Sequence, residues 1–115
     1  ASVDVTSETL MAGLSCGDPS ELAWDILTDE ASNYLTTPDS IIGPNMRLLA
    51  RPLGRDPMNE GGESGVAGLA ALIAAACQPA LRLALKLGPT SRVLLISSEG
   101  ITDSNIYAQV MNQPD

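Results

Sequence analysis

The sequence predicts an α/β domain in which helices surround one or two buried strands. Hydrophobic residues make up 44% of the 115 residues and aromatic residues only 3%, so small and branched side chains supply the core, as in closely packed helices. The continuous apolar run 91–97 is typical of a strand buried on both faces. Because such a strand needs partner strands that this chain scarcely supplies, we expect residues 1–115 to form a single partial domain of a larger sheet.

The first predicted helix begins in the run Asp18-Pro19-Ser-Glu21. Asp18 can accept the free N–H groups as N-cap, Pro19 suits the first turn, and Glu21 can complete a capping box. Apolar residues at helical spacing extend this prediction to about Thr36, and Pro38 ends the helix.

Two shorter helices are predicted, one before the centre of the chain and one near its end. The first lies within residues 39–51, where Pro44 makes the start uncertain because proline removes a donor. The second is a short helix over residues 103–110. Between them, residues 51–62 are rich in Pro and Gly, which predicts a loop.

The most apolar helix is predicted to begin at Ser64, whose hydroxyl would cap it. It has almost no polar residue before Gln78, so we expect burial on all sides. Pro79 kinks the helix or restarts it as another, which would end at Gly88.

Composition excludes several classes of function. The chain has no His, which excludes Ser-His-Asp and Cys-His catalytic units and histidine metal sites within it. Fourteen acidic against six basic residues give a formal charge of −8, which argues against binding nucleic acid or an anionic membrane. The longest apolar stretch, 66–77, is too short to span a bilayer. With no signal-peptide pattern and no disulfide framework, we expect a cytoplasmic protein.

Three segments of the sequence resemble the C-terminal part of the diaminopropionate ammonia-lyase family. These enzymes depend on pyridoxal 5'-phosphate (PLP) and belong to the tryptophan-synthase-β, or fold type II, group. The first segment is the most specific. The segments are Thr9-Leu-Met-Ala-Gly-Leu-Ser-Cys-Gly-Asp-Pro-Ser20 with Ala23-Trp-Asp-Ile-Leu27, then Gly54-Arg-Asp-Pro57 leading to Gly62-Glu-Ser-Gly65, then Ser91-Arg-Val-Leu-Leu-Ile-Ser-Ser-Glu-Gly100 with Thr102-Asp103.

The resemblance implies a C-terminal fragment of the large domain of such an enzyme. The full-length enzyme would be a homodimer that converts the small amino acid 2,3-diaminopropionate to pyruvate and ammonia by α,β-elimination. In the family, the Schiff-base lysine and the glycine-rich phosphate loop lie upstream of the matching region. We therefore expect no catalytic residue in this chain and do not assign the Schiff base to Lys86, its only lysine.

The resemblance also implies contacts to the cofactor. A hydroxyl after the strand faces the pyridine nitrogen in fold type II enzymes, which points to Ser97 ahead of Ser98, although both could simply cap the turn. Glu63 matches an acidic residue near the cofactor ring, but a carboxylate there also favours a helix N-terminus. The segment of Gly13, Leu14 and Ser15 resembles one that enters the cleft, so we expect backbone contacts with cofactor or substrate.

The glycines around Glu63 leave one further interpretation. Gly61, Gly62 and Gly65 could cradle an anion at a helix start, but the adjacent carboxylate would repel phosphate. The chain also departs from the family at Ile101, where Asp is usual, which puts the local loop geometry in doubt.

Two alternatives to this lyase remain open. One is another fold type II lyase, such as a threonine or serine dehydratase, which the first segment argues against. The other is a free-standing, non-catalytic α/β domain that binds a partner. In either case the apolar helix and strand should be hidden in a neighbour, so we expect the isolated chain to dimerise or aggregate.

Overall fold

Five α-helices and two 3₁₀ turns make up the regular structure of the computed structural model, which describes residues 2–114. The turns cover Ala12–Leu14 and Asp39–Ile41. The helices are α1 (Glu21–Glu30), α2 (Ile42–Ala50), α3 (Ala67–Cys77), α4 (Pro79–Ala84) and α5 (Ser104–Asn112).

The hydrophobic core lies where α2 packs against α3 and α5. Ile42 and Met46 on α2 are fully buried, together with Val66 just before α3. Met11, Ala70 and Val110 complete the cluster. Met11 therefore anchors the N-terminal segment to the helices, which determines where the residues after it lie.

Helix α1 is shorter than predicted at both ends. Its N-cap is Ser20, whose hydroxyl accepts from the Ala23 N–H, so the assignment of Asp18 as N-cap is wrong. The helix ends at Glu30 and not near Thr36. The chain folds back there, and the Tyr34 hydroxyl donates at 3.2 Å to the Leu27 carbonyl, which also accepts from the Ala31 N–H.

Helices α2 and α5 confirm the two shorter predictions. Pro44 is the third residue of α2, where its missing N–H has no intrahelical partner to lose. Asp103 caps α5 by accepting from the N–H groups of Asn105 and Ile106. The C-terminal carbonyls of α5 accept from α2, since Arg47 donates to Val110 and Arg51 to Met111.

Helix α3 begins at Ala67, three residues after the predicted start. Its N-cap is Val66 and no side chain caps it, so the predicted Ser64 cap is wrong. Only Ala70 and Ala75 are buried along the helix. Most of its other residues are half-buried, so burial on all sides is not reached among residues 2–114.

Helix α4 ends with a Schellman motif centred on Lys86 and not at Gly88. Lys86 has a φ of 55°, its N–H donates to Leu83, and the Leu87 N–H donates to Arg82. This is the 5→2 and 6→1 pair of bonds that closes a helix when the C′ residue is left-handed. Glycine is usual at that position, so a lysine there does not signal the end of the helix.

The predicted strand over 91–97 is not formed within the described residues. Residues 92–98 have no regular secondary structure, and no strand occurs anywhere in 2–114. Leu94 and Ile96 are 88% and 78% exposed, whereas Val93 and Leu95 are less so. A strand exists only with a hydrogen-bonded neighbour, and the described chain offers none.

Candidate functional site

Three irregular segments meet just before α3, and we call them the three-segment junction: residues 12–15, 61–66 and 97–100. The Gly13 N–H donates to the Ser64 hydroxyl at 3.1 Å. The Gly62 N–H donates to the Glu99 carbonyl at 3.0 Å. These two bonds join parts of the chain that lie far apart in sequence, so the junction depends on the tertiary fold.

Glycines allow the backbones of the junction to approach closely. A Cβ at Gly62 would lie 2.1 Å from the Gly100 carbonyl oxygen, and one at Gly65 would lie 2.2 Å from that of Glu99. Real Cβ atoms essentially never come so near another atom. The glycine run 61–65 therefore serves to bring residues 97–100 against the start of α3.

Ser97 faces this glycine run. Its hydroxyl oxygen lies 3.1 Å from the position of a Cβ on Gly65 and 3.8 Å from one on Gly61. Ser97 and Ser98 are both exposed, so a ligand could reach either hydroxyl. The structure thus places Ser97 in the junction, with Ser98 next to it.

Glu63 is buried, with 5% of its surface exposed. It precedes the helix N-cap Val66, and the first turn of α3 has no acidic residue. The Val66 N–H donates to the Gly62 carbonyl at 3.1 Å, so Glu63 lies in the turn that leads into α3. Its neighbour Ser64 is equally buried and accepts the bond from Gly13.

Gly13, Leu14 and Ser15 lie in and just after the first 3₁₀ turn. Gly13 belongs to the junction, because a Cβ there would lie 2.6 Å from a Glu99 carboxylate oxygen. Leu14 is exposed and borders an open cleft of about 530 Å³ that also touches Met11. Of the predicted site residues, Gly13 and Ser97 lie against the segment 61–66 that contains Glu63, while Leu14 and Ser15 lie at the edge.

Ser64 and Glu99 make the two bonds that join the junction but were not predicted as part of a site. Ser64 was assigned as a helix cap, and Glu99 was noted only inside a matching segment. Nothing in local sequence pairs Ser64 with Gly13, because 51 residues separate them. The glycines at 62 and 65 were the available signal, since a glycine next to a buried helix often marks a close backbone approach.

One carboxylate fixes the segment that leads into the junction. Asp39 accepts from the Thr9 hydroxyl and from the Leu10 N–H, the latter at 2.6 Å. The bond from Thr9, then that from Leu10, lowers the pKa of Asp39, because both favour the charged form. Asp39 thus ties the N-terminal segment to the start of α2.

Three further observations concern metal ligands, cysteines and membrane spans in the described residues. Residues 2–114 contain no group of three or more His, Cys, Asp or Glu that could hold a metal ion. Cys16 and Cys77 are exposed and free. None of the helices in this range is long and apolar enough to cross a membrane.

Comparison with known proteins identifies similarity to one enzyme. No protein-family model matches the chain. The curated proteins that it resembles are ammonia-lyases. More specifically, they are diaminopropionate ammonia-lyases. The relative from Escherichia coli K12 is 42% identical over 106 residues, which cover 90% of this chain and 27% of the relative. The relative from Salmonella typhimurium LT2 is 36% identical over 107 residues, which cover 90% of this chain and 26% of the relative.

Solved structures of the same enzyme from Escherichia coli share the fold of this chain. One is a complex with an aminoacrylate–PLP azomethine reaction intermediate; it has a TM-score of 0.84 and 40% identity, and covers 92% of this chain and 28% of that one. Another is a complex with D-serine, with a TM-score of 0.81 and the same identity. The chain is therefore similar to diaminopropionate ammonia-lyase in sequence and fold, and spans about a quarter of its length.

The junction fits part of a PLP site. It offers hydroxyls and backbone groups that could contact a ring, but not the amine that must bind PLP covalently. Lys86, the only lysine, is exposed at the end of α4 and is not among the residues of the junction. The residues present therefore fit contacts to the cofactor ring and do not fit its covalent attachment.

Proposed function

We propose that this chain forms the C-terminal part of a PLP-dependent diaminopropionate ammonia-lyase and is not catalytic alone. The proposed reaction of the whole enzyme is α,β-elimination of 2,3-diaminopropionate, a small amino acid, to pyruvate and ammonia. The observation that carries the proposal is the 42% identity over 90% of the chain. The shared fold supports it, with a TM-score of 0.84.

The cofactor contacts are part of this proposal. When bound, PLP supplies an electron sink for the elimination. The Ser97 hydroxyl would hold the pyridine nitrogen, with Ser98 as the second candidate. A neutral hydroxyl does not force that nitrogen to stay protonated, which suits elimination. Glu63 would lie near the ring, and the backbone of Gly13, Leu14 and Ser15 would border the cofactor and substrate.

The same proposal extends to the rest of the polypeptide and to the assembly of the enzyme. Residues 91–97 would become a strand buried between neighbours from the rest of the polypeptide. Support comes from the alternating exposure of that run and from its position next to α3, where Leu95 approaches Gly68. The enzyme would be a cytoplasmic homodimer that binds neither nucleic acid nor membrane, in keeping with the formal charge of −8.

The direct test uses the longest natural product of the gene that contains this chain. Purified with PLP, it should release pyruvate from 2,3-diaminopropionate, while the 115-residue chain alone should release none. Sequencing the coding DNA upstream of Ala1 should reveal a lysine-bearing half with a glycine-rich phosphate loop. Bound cofactor without turnover would contradict the substrate assignment.

Ser97 provides a second test in that longer product. Ser97→Ala should shift the absorbance of the bound cofactor and lower kcat, whereas Ser97→Thr, which keeps a hydroxyl, should retain most of the activity. Ser98→Ala is the matched control. It should change the absorbance spectrum and kcat much less than Ser97→Ala does. The reverse order of effects would assign the ring contact to Ser98.

The alternative is another fold type II lyase. The relative from Escherichia coli has been solved in complex with D-serine, which makes hydroxy amino acids the substrates to compare. Assaying D-serine, L-serine and L-threonine beside 2,3-diaminopropionate would separate the two. A kcat/KM that is highest for a hydroxy amino acid would favour a dehydratase. A start codon directly before Ala1 would instead favour a non-catalytic binding domain.

A further inference from the structure

Glu99 attaches the segment that carries Ser97 to the rest of the molecule. Within residues 2–114, the stretch 92–102 forms one backbone hydrogen bond, in which the Gly62 N–H donates to the Glu99 carbonyl at 3.0 Å. This stretch contains no helix or strand, and Ser97 is exposed. The position of Ser97 therefore depends on how Glu99, two residues further along the chain, is held.

The Glu99 carboxylate lies between two glycines from different parts of the chain. Its Oε2 lies 2.6 Å from the position of a Cβ on Gly13, and its Oε1 lies 2.9 Å from the position of one on Gly62. A side chain at either position would have to displace the carboxylate. Glu99 is half-buried, and it thus contacts both of the other segments of the junction.

The Ser64 hydroxyl lies in the same place and is held more firmly. Its oxygen is 2.9 Å from the position of a Cβ on Gly13 and accepts from the Gly13 N–H. Ser64 is buried, and Val66, two residues later, belongs to the hydrophobic core. The Glu99 side chain therefore packs against a part of the junction that is anchored to the helices.

We propose that Glu99 is the positioning residue for the contact between Ser97 and the cofactor ring. This inference rests on the proposed function, because it adds a residue to the same site. The Glu99 carbonyl ties the segment to Gly62 through a single bond. The side chain, packed between Gly13 and Gly62, prevents the segment from rotating about that bond, and so fixes the Ser97 hydroxyl. Glu99 acts through Ser97 and is assigned no contact with the ring or the substrate.

The proposed role depends on the shape of the Glu99 side chain and not on its charge. The atoms that meet the two carboxylate oxygens belong to glycine backbone, whose Cα–H groups are weak donors. Glutamine has the same length and fills the same space, so it should replace glutamate. Alanine leaves the space between the glycines empty and frees the segment. Misplacing a contact by about 1 Å is enough to lower a rate by about a hundredfold.

The test compares variants of the longest natural product of the gene, purified with PLP. Glu99→Ala should shift the absorbance of the bound cofactor in the same direction as Ser97→Ala and lower kcat at least about tenfold. Glu99→Gln should keep the absorbance of the parent and stay within about threefold of its kcat. Glu30→Ala, at the exposed end of α1, is the matched control and should change neither.

A second measurement follows the junction itself and needs no substrate. Hydrogen exchange of the Gly13 amide, which donates to Ser64, should be at least about fivefold faster in Glu99→Ala than in the parent. Glu99→Gln and Glu30→Ala should exchange within about twofold of the parent. Circular dichroism of each variant checks that it folds.

The outcomes separate this inference from the proposed function. Bound cofactor without release of pyruvate from 2,3-diaminopropionate contradicts the proposed substrate, while the absorbance and the exchange still test Glu99. A product that binds no PLP contradicts both. An unchanged absorbance in Glu99→Ala would overturn the positioning role. A loss in Glu99→Gln as large as that in Glu99→Ala would overturn it too, because the charge would then act on the site directly.

Discussion

Glycines of one sequence region have opposite roles only a few residues apart. At Gly62 a Cβ would collide with the Gly100 carbonyl, whereas at Gly68, inside α3, the nearest atom is a Leu95 side-chain carbon at 3.6 Å. The first glycine is required by a backbone contact. The second lies in a helix, where glycine is less favourable than alanine.

This contrast predicts opposite effects of the same substitution. Gly62→Ala must separate residues 61–66 from 97–100 and should lower the free energy of unfolding by about 2–3 kcal/mol or more. Gly68→Ala should raise it by about 0.5–1 kcal/mol. Urea denaturation of the 115-residue chain measures both, and equal effects at the two positions would contradict the described junction.

The sequence singled out individual residues of the junction but not their contacts. Gly13 and Ser97 lie against the segment 61–66, which contains Glu63, and their roles at a cofactor stay predictions. The bonds that join these segments, from Gly13 to Ser64 and from Gly62 to Glu99, involve residues without a pairing signal. Long-range contacts of this kind depend on the whole fold, and no periodicity in the chain reports them.

At the scale of elements, helix existence was predictable but several helix ends were not. The sequence indicated helical segments at all five positions, although it left open whether Pro79 kinks the helix before it or starts a new one, and Asp103 correctly marked the start of α5. The end of α1 lies beside the Tyr34 hydroxyl bond to Leu27, and the start of α3 follows the glycine contacts, and neither contact is visible in local sequence. The strand depends on neighbours that the described residues do not include.

The end of α4 carries a prediction of its own. Lys86 occupies a left-handed position, which costs a non-glycine residue about 1 kcal/mol. Lys86→Gly should therefore be more stable than Lys86→Ala by about that amount in thermal or urea unfolding. Gly88 has no atom near the position of a Cβ and no positive φ, so Gly88→Ala should be nearly neutral. Equal stability of the Gly and Ala variants at 86 would contradict the motif.

The whole molecule buries little for its length. The core is a single cluster around α2, while α1 and residues 93–96 expose large apolar side chains. Exposed apolar surface of this extent is typical of an interaction surface. This supports both the prediction that the isolated chain self-associates and the proposal that it is one part of a larger enzyme.

The N-terminal segment is held to the helical body through few bonds, and one of them depends on pH. Asp39 accepts from Thr9 and Leu10, and its pKa is lowered from the ordinary value of 3.8. A carboxyl with a lowered pKa contributes stability that is fully present above its unfolded value and is lost as the pH falls through the folded value. Acid should therefore loosen this segment, and with it the position of Gly13 against Ser64.

Asp39→Asn should remove this contribution, since the amide cannot accept with both of its terminal atoms. Thermal unfolding followed from pH 6 down to pH 2 should show the variant melting below the parent at pH 6. The difference should begin to shrink near the ordinary value of 3.8 and close at lower pH. Asp29→Asn, on the exposed helix α1, is the control. The difference between its melting temperature and that of the parent should not close as the pH falls. A pH-independent difference at position 39 would show that shape, and not charge, holds the segment in place.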